Sequence, residues 1–120
     1  MSGATVLVVD DDSDVRGVAV RQLTSLGYRV LAAENGTAAL SLLDTTPDIE
    51  LLFVDVSMPG GLSGPEVAER AVRTRAGLKI LFASGNYEAS LPAAAHFIVK
   101  PYRKRELAEK VLEALGASST

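Results

Sequence analysis

The sequence contains no cysteine, which excludes disulfide bonds and metal sites built from thiolates. It also lacks any apolar run near the ~20 residues of a transmembrane helix, and its start, MSGAT, lacks the layout of a signal peptide. Excess positive charge is absent too, because the sequence has 12 Lys and Arg and 15 Asp and Glu. This balance argues against general nucleic-acid binding, which needs a basic surface. We therefore expect a soluble, cytoplasmic domain with neither nucleic acid nor membrane as a partner.

The sequence is long enough for one ordinary domain. Its 120 residues fall in the usual range for a domain, and a hydrophobic content of 48 % is enough for one packed core. We find no internal repeat, and neither the glycine-rich Gly60–Gly64 nor the small polar tail Ala117–Thr120 resembles a linker between domains. We therefore predict a single domain over residues 1–120.

Five short apolar runs predict β-strands. Several are continuously apolar rather than alternating, which is typical of strands covered on both faces of a parallel sheet. Helical patterns lie between the runs, and this alternation predicts an α/β fold. The predicted strands are Thr5–Val9, Tyr28–Ala33, Leu51–Val54, Lys79–Ala83 and His96–Val99.

The helical patterns carry start and stop signals. Asn35 suits the N-cap of a helix reaching Leu43, Ser63–Glu66 form a capping-box pattern, and Gly27 stands where the first helix would end. Apolar positions at helical spacing are predicted to face the core. These positions are Val15, Val18, Ala19, Leu23 and Leu26 in the first helix, Val67, Ala68, Ala71 and Val72 in the third, and Leu107, Ala108, Val111, Leu112 and Leu115 in the last.

Polar side chains follow four of the predicted strands. Asp10–Asp12 end the first, and Asp55, Ser84 and Lys100 end the third, fourth and fifth. The carboxyl ends of parallel strands share one edge of the sheet, where ligands bind, so we expect these side chains to form one site. Taken singly, each has a plainer explanation, such as a helix-capping turn, a loop carboxylate, a turn hydroxyl or a strand terminus. Their positions at matching strand ends favour the shared site.

The chemistry of this site follows from its side chains. Clustered carboxylates repel one another unless a cation lies among them, and oxygen ligands with room for water favour Mg²⁺, with Mn²⁺ as an alternative. A carboxylate beside such an ion and a lysine is a plausible nucleophile toward phosphorus, which would give an aspartyl phosphate.

With these residues assembled, the sequence resembles a response-regulator receiver domain of two-component signalling. The resemblance covers nearly the whole chain, and it implies a flavodoxin-like, doubly wound five-stranded parallel sheet of order 2-1-3-4-5 with helices on both faces. It rests on the order and spacing of VVDDD at 8–12, FVDVSMPGG at 53–61, FASGNY at 82–87 and VKPY at 99–102.

The resemblance implies a role for each acidic residue. Asp55 would accept the phosphoryl group and contact the metal. Asp11 would bind Mg²⁺ directly, Asp10 would help through water, and the backbone carbonyl of Ser57 would complete the protein ligands. Asp12 is interpreted as a helix cap or as a more distant charge.

The resemblance also implies roles for the residues at the ends of the fourth and fifth strands, and it implies which proteins the domain binds. Lys100 would pair with the phosphoryl group, Ser84 would move its hydroxyl toward it, and the bond from Lys100 to Pro101 would be cis. A histidine kinase or histidine phosphotransfer protein would be the donor, docking near Val15, Val18 and Val20. The downstream protein target is not identified, and the domain would be a monomer or weak dimer.

The sequence departs from the family pattern in its second half. Ser84 replaces the usual threonine, and Phe97 stands where many receivers carry a switching tyrosine, so Phe97 and Tyr87 are both candidate switch aromatics. The Asn86–Ala95 stretch supports one or two helical turns at most, so we predict a short or degraded fourth helix.

FASGNY resembles a receiver subgroup with the signature F-A-T-G-x-Y, associated with bacterial stress signalling, and SMPGGLSG resembles receivers of hybrid histidine kinases.

Other functions remain as alternatives. The chain could be a receiver excised from a hybrid histidine kinase, a receiver that works only as an interaction module, or a small phosphatase with an aspartyl nucleophile. A phosphatase of the haloacid-dehalogenase type would want a second aspartate where Ser57 stands. A flavodoxin-like cofactor site is disfavoured because DDDSD would repel phosphate. We expect no enzyme activity beyond the domain's own phosphorylation and dephosphorylation.

Overall fold

Strands and helices alternate along the chain as far as the fourth strand, as the apolar runs predict. The computed structural model describes residues 3–85 and 95–116. Its strands form one parallel sheet of order β2-β1-β3-β4-β5, which confirms the predicted doubly wound topology. The elements are β1 Thr5–Val9, α1 Ser13–Ser25, β2 Arg29–Ala33, α2 Gly36–Thr45, β3 Ile49–Asp55, α3 Gly64–Thr74, β4 Lys79–Ser84, β5 His96–Val99 and α4 Lys104–Leu115.

The sheet divides the hydrophobic core into two layers. Successive side chains of a strand point to opposite faces, so Leu7 and Leu52 enter one layer while Val6 and Leu51 enter the other. The first layer is completed by residues of α2 and α3, and the second by residues of α1 and α4. Because both faces are covered, β1 and β3 read as continuous apolar runs rather than alternating ones.

Side chains cap the starts of three helices. Asp12 Oδ1 accepts from the backbone N–H groups of Asp14 at 2.9 Å and Val15 at 3.2 Å. Asn35 caps α2 in the same way, and Ser63 forms a reciprocal capping box with Glu66. Such caps satisfy backbone donors that a helix start leaves free, each stabilising the fold by about 1 kcal/mol. The cap interpretation of Asp12 is therefore confirmed.

Three of the positions predicted to face the core are instead largely open to solvent. Val18, Val72 and Leu112 are 41 %, 38 % and 42 % exposed. Each lies at the margin of its helix's apolar stripe, where about 100° of rotation per residue turns the side chain away from the sheet. The prediction that these three side chains face the core is therefore wrong. The core contacts come from the centres of the apolar stripes.

The end of the sheet opposite the strand carboxyl ends is held by one arginine. Arg75, just beyond α3, donates from Nη1 to the carbonyls of Leu43 and Thr46 at 3.0 and 3.2 Å. Its Nη2 donates to the carbonyls of Pro47 and Ile49 at 2.7 and 2.6 Å. This side chain satisfies carbonyls that the end of α2 leaves open and ties that end to the start of β3.

Two further sequence predictions concern the short fourth helix and the absence of a transmembrane helix. The predicted short fourth helix falls mainly on residues 86–94, which lie outside the described residues. Among the described helices, none has the length and apolar character needed to cross a membrane.

Candidate functional site

Four strands deliver polar side chains to one edge of the sheet. Asp10 follows β1, Asp55 ends β3, Ser84 ends β4 and Lys100 follows β5. Asp10, Asp55 and Ser84 are 5 %, 7 % and 3 % exposed, although polar side chains are ordinarily found at the surface. Asp11, which follows Asp10, is exposed and faces solvent at the rim. The structure therefore brings the predicted side chains to a shared, largely buried location.

Three carboxylates lie close enough together to share a cation. One oxygen from each of Asp10, Asp11 and Asp55 lies within 4.8 Å of the other two. Oxygen ligands on opposite sides of an octahedral Mg²⁺ are separated by about 4 Å, since each lies ~2.0–2.1 Å from the ion. A small side-chain rotation or one intervening water covers the difference, so the donor set fits a small divalent ion that keeps part of its hydration shell. Ser57, also predicted as a ligand, lies two residues past Asp55 and is exposed.

Lys100 faces the acidic residues and contacts two of them. Its Nζ lies 3.2 Å from Asp55 Oδ2 and 3.4 Å from Asp10 Oδ2. Burial by itself would lower the pKa of Lys100, but the charges of Asp10 and Asp55 outweigh it, so the pKa of this ammonium is raised. The lysine therefore stays charged and holds both carboxylates while reaching the rim of the site.

The pKa of Asp55 is raised from its ordinary value of 3.8. Burial is the largest cause and the Asp10 charge acts in the same direction, while Lys100 and the N–H of Ser57 lower the pKa. That N–H donates to Asp55 Oδ1 at 3.3 Å. Asp55 is thus a desolvated carboxylate whose two oxygens have different partners, which orients it for attack on an electrophile.

The Lys100–Pro101 peptide bond is cis. Phe97 lies in β5 opposite Phe82, is partly buried and packs against the α2–α3 core layer. Tyr87, the other candidate switch aromatic, lies outside the described residues.

One glycine that the sequence reasoning missed supports Asp55 from behind. Gly64 begins α3, and its N–H donates to the carbonyl of Val56 at 3.0 Å. A Cβ atom at Gly64 would lie 2.3 Å from the carbonyl oxygen of Asp55 and 2.9 Å from Val56 Cα, so α3 starts in direct contact with the backbone of β3. The available signal was a glycine at a helix start, where its poor helix propensity calls for another reason.

Tyr102 lies beneath the acidic site and was also missed. Its ring packs at 6.1 Å from that of Phe53, tilted by 57°, and it lines a small cavity together with Asp10 and Asp55. Burial, followed by the charges of those two carboxylates, raises the pKa of Tyr102 to about 12. The phenol therefore stays neutral, and its ring lies against the small cavity that Asp10 and Asp55 also line.

An open apolar groove adjoins the site. It has a volume of about 460 Å³ and lies between α1 and the Lys100–Tyr102 segment. Val15 and Val18 line it from α1, while Asp14 stands at its acidic end. Two of the three valines predicted for a docking surface, Val15 and Val18, are thus grouped beside Lys100. The third, Val20, instead packs against the core layer of α1 and α4 and is not among the residues that line the groove.

Comparison with known proteins gives consistent relatives. The family described as the response regulator receiver domain matches residues 6–112. The response regulator receiver protein CpdR of Brucella abortus is 33 % identical over 119 residues, covering 94 % of this chain and 98 % of CpdR. The sensor kinase CckA of the same organism is 36 % identical over 119 residues, covering 93 % of this chain but 12 % of the kinase.

Among solved structures, TrrA of Thermotoga maritima in complex with Mg²⁺-BeF is similar, with a TM-score of 0.83 and 33 % identity. The match covers 93 % of this chain and 99 % of TrrA. The family match takes in most of the chain and all four strand ends that build the acidic site. This chain therefore belongs to the response regulator receiver domains of two-component signalling.

Proposed function

We propose that Asp55 accepts a phosphoryl group from a phosphohistidine in a Mg²⁺-dependent reaction, and that the phosphorylated state changes which proteins the domain binds. One observation carries the proposal: a buried carboxylate with a raised pKa contacts an ammonium at 3.2 Å and lies within 4.8 Å of two further carboxylates. Desolvation makes a carboxylate more nucleophilic, and the facing charge can stabilise the transferred group.

The transfer itself breaks one bond and makes one. An oxygen of the Asp55 carboxylate attacks the phosphorus, the P–N bond to the donor imidazole breaks, and that nitrogen keeps the bonding pair. Lys100 pairs with an oxygen of the arriving group, and the hydroxyl of Ser84 at the end of β4 donates to another. Asp11, Asp55 and the backbone carbonyl of Ser57 would hold Mg²⁺, with Asp10 helping through water, and the bound ion would supply positive charge to neutralise the phosphoryl oxygens. Water later attacks the phosphorus, the P–O bond to Asp55 breaks, and inorganic phosphate leaves as the carboxylate is restored.

We assign the groove beside Lys100 as the docking surface for the phosphohistidine donor. Val18 is 41 % exposed there, and Val15 and Tyr102 complete an apolar wall next to the phosphoacceptor pocket. A histidine kinase or histidine phosphotransfer protein that places an apolar helix in this groove would bring its imidazole to the rim of the site. The domain then acts in the cytoplasm as a monomer or weak dimer and has no other enzymatic activity.

Two settings for this chemistry have support. The chain matches 98 % of the receiver protein CpdR and 12 % of the sensor kinase CckA, so its relatives include both a receiver of similar length and a part of a much longer kinase. The site chemistry is the same in both, so the difference lies in whether the phosphohistidine donor belongs to the same polypeptide.

The proposal is tested by incubating the domain with acetyl phosphate and Mg²⁺ and measuring its intact mass. We expect an adduct of about 80 Da, the PO₃ increment of a phosphoryl transfer, that disappears in Asp55→Asn and with excess EDTA. Labelling of Asp55→Asn at the wild-type rate would place the acceptor elsewhere. Continuous release of phosphate from simple phosphomonoesters, at a rate independent of the adduct, would instead support a phosphatase.

A further inference from the structure

We infer that Arg16 is a positioning residue for the metal ligands: it holds the backbone between Asp10 and Asp11 and thereby strengthens divalent-cation binding, even though its own charge opposes it. The inference rests on the proposed function for its biological meaning. It concerns a residue outside the acidic pocket, on the first helix rather than at a strand end.

The geometry joins the end of β1 to the first turns of α1. Arg16 Nη1 donates to the carbonyl of Asp10 at 2.6 Å, and this carbonyl belongs to the peptide that links the two aspartates. On the same stretch, the N–H of Asp12 donates to Asp10 Oδ1 at 2.9 Å, and the N–H of Arg16 donates to the carbonyl of Asp12 at 2.9 Å. The strand end, the turn and the helix are thus closed into one hydrogen-bonded loop.

Asp11 depends most on this loop. It is exposed, yet one of its carboxylate oxygens lies within 4.8 Å of those of buried Asp10 and Asp55. Its direction is set by the orientation of the preceding peptide, and Arg16 fixes that peptide through its carbonyl. With this bond lost, the peptide gains rotational freedom, and a ligand that must be ordered again at binding lowers affinity.

The position of Arg16 is electrostatically unfavourable by itself. A cation in the first turns of a helix opposes the positive end of the helix dipole, and a positive charge near the pocket repels an incoming cation. A role in which Arg16 only screens the aspartates therefore predicts that removing it tightens Mg²⁺ binding. A positioning role predicts the opposite sign, which makes the two explanations separable.

The test compares Arg16→Gln with Arg21→Gln, which removes the same charge from an exposed position on the same helix. The probe is Mg²⁺ alone, titrated without a phosphodonor and followed through the backbone NMR signals of residues 10–12. We expect Arg16→Gln to raise the Mg²⁺ dissociation constant about three- to tenfold, the equivalent of the net contribution of one ordinary hydrogen bond. Arg21→Gln is expected to stay within about twofold of the wild type or to bind slightly more tightly.

A third variant separates positioning from a general weakening of α1. Leu23→Ala weakens the packing of α1 at a fully buried position that lies outside the cavity lined by Asp10 and Asp55. Binding by Arg16→Gln that equals or exceeds the wild type, or an equal loss in Leu23→Ala, overturns the inference. Because these titrations involve no phosphorylation, a wild type that binds Mg²⁺ but gains no adduct at Asp55 would refute the proposed function while leaving the role of Arg16 intact.

Discussion

Replacing Gly64 with alanine tests how closely the first turn of α3 must approach the phosphoacceptor. The new Cβ would lie 2.3 Å from the carbonyl oxygen of Asp55, whereas an ordinary contact needs at least 3.4 Å. The start of α3 or the end of β3 must therefore shift by about 1 Å. Both contacted groups are backbone atoms, so no side chain can rotate away to relieve the overlap.

The expected effects have opposite signs for helix propensity and for packing. Alanine is favoured over glycine in a helix by about 0.5–1 kcal/mol, so propensity alone predicts stabilisation. Overpacking typically costs about 1–3 kcal/mol, and we expect it to prevail, with a net loss of about 1–2 kcal/mol. A displacement of about 1 Å at a reacting group can slow a reaction roughly 100-fold, so phosphorylation should suffer more than stability.

The matched control is Gly61→Ala, in the loop that precedes α3. A Cβ at Gly61 would meet nothing within 4 Å, so this variant keeps wild-type stability and labelling. Thermal unfolding gives the stability change, and the initial rate of the mass adduct with acetyl phosphate gives the activity. A Gly64→Ala protein that is as stable and as quickly labelled as Gly61→Ala would show that the close approach has no functional weight.

Three more predictions follow from the site and the opposite end of the sheet. Mg²⁺ should raise the Tm of the wild type, and Asp11→Ala should lose most of that gain; equal responses would contradict a shared cation site. Arg75→Ala should lower the free energy of unfolding by about 2–3 kcal/mol, because it leaves four carbonyls without their charged donor. The control Arg73→Ala, which breaks an exposed pair with Glu69, should lower it by less than about 0.5 kcal/mol. Similar Tm values for the two variants would refute this prediction. Because the pKa of Asp55 is raised in the folded state, the folded protein holds this proton more tightly than the unfolded chain, so without metal the contribution of Asp55 to stability should fall as pH rises from 3.8 through the raised folded pKa. Asp55→Asn should remove that part of the pH dependence in chemical denaturation, and an unchanged profile would exclude the assignment.

Much of the fold could be predicted because its signals are local. Continuous apolar runs identify strands covered on both faces, and the caps at Asn35 and Ser63 place the helix starts to within a residue. The order of polar residues at strand ends is enough to predict that Asp10, Asp55 and Lys100 lie at one edge of the sheet. These features depend on the alternation of side chains and on backbone donors within a few residues.

The parts that were missed depend on distant segments meeting. Gly64 matters because the start of α3 touches the backbone of β3, and Tyr102 matters because the turn after β5 brings its ring under the aspartates. Arg16 could have been placed on α1 from periodicity, but its contact with a carbonyl depends on how the helix leaves the strand. Such contacts are fixed by tertiary geometry, and the spacing of residue types along the sequence does not predict them.

The two-layer core has a consequence for how this domain can vary. Leu23 and Val67 are both fully buried, yet they belong to layers on opposite sides of the sheet and share no cluster. Losses from truncating them should therefore be nearly additive, and either side can be remodelled without repacking the other. Since β3 contributes side chains to both layers, the strand that ends in Asp55 must stay compatible with substitutions on either side of the sheet.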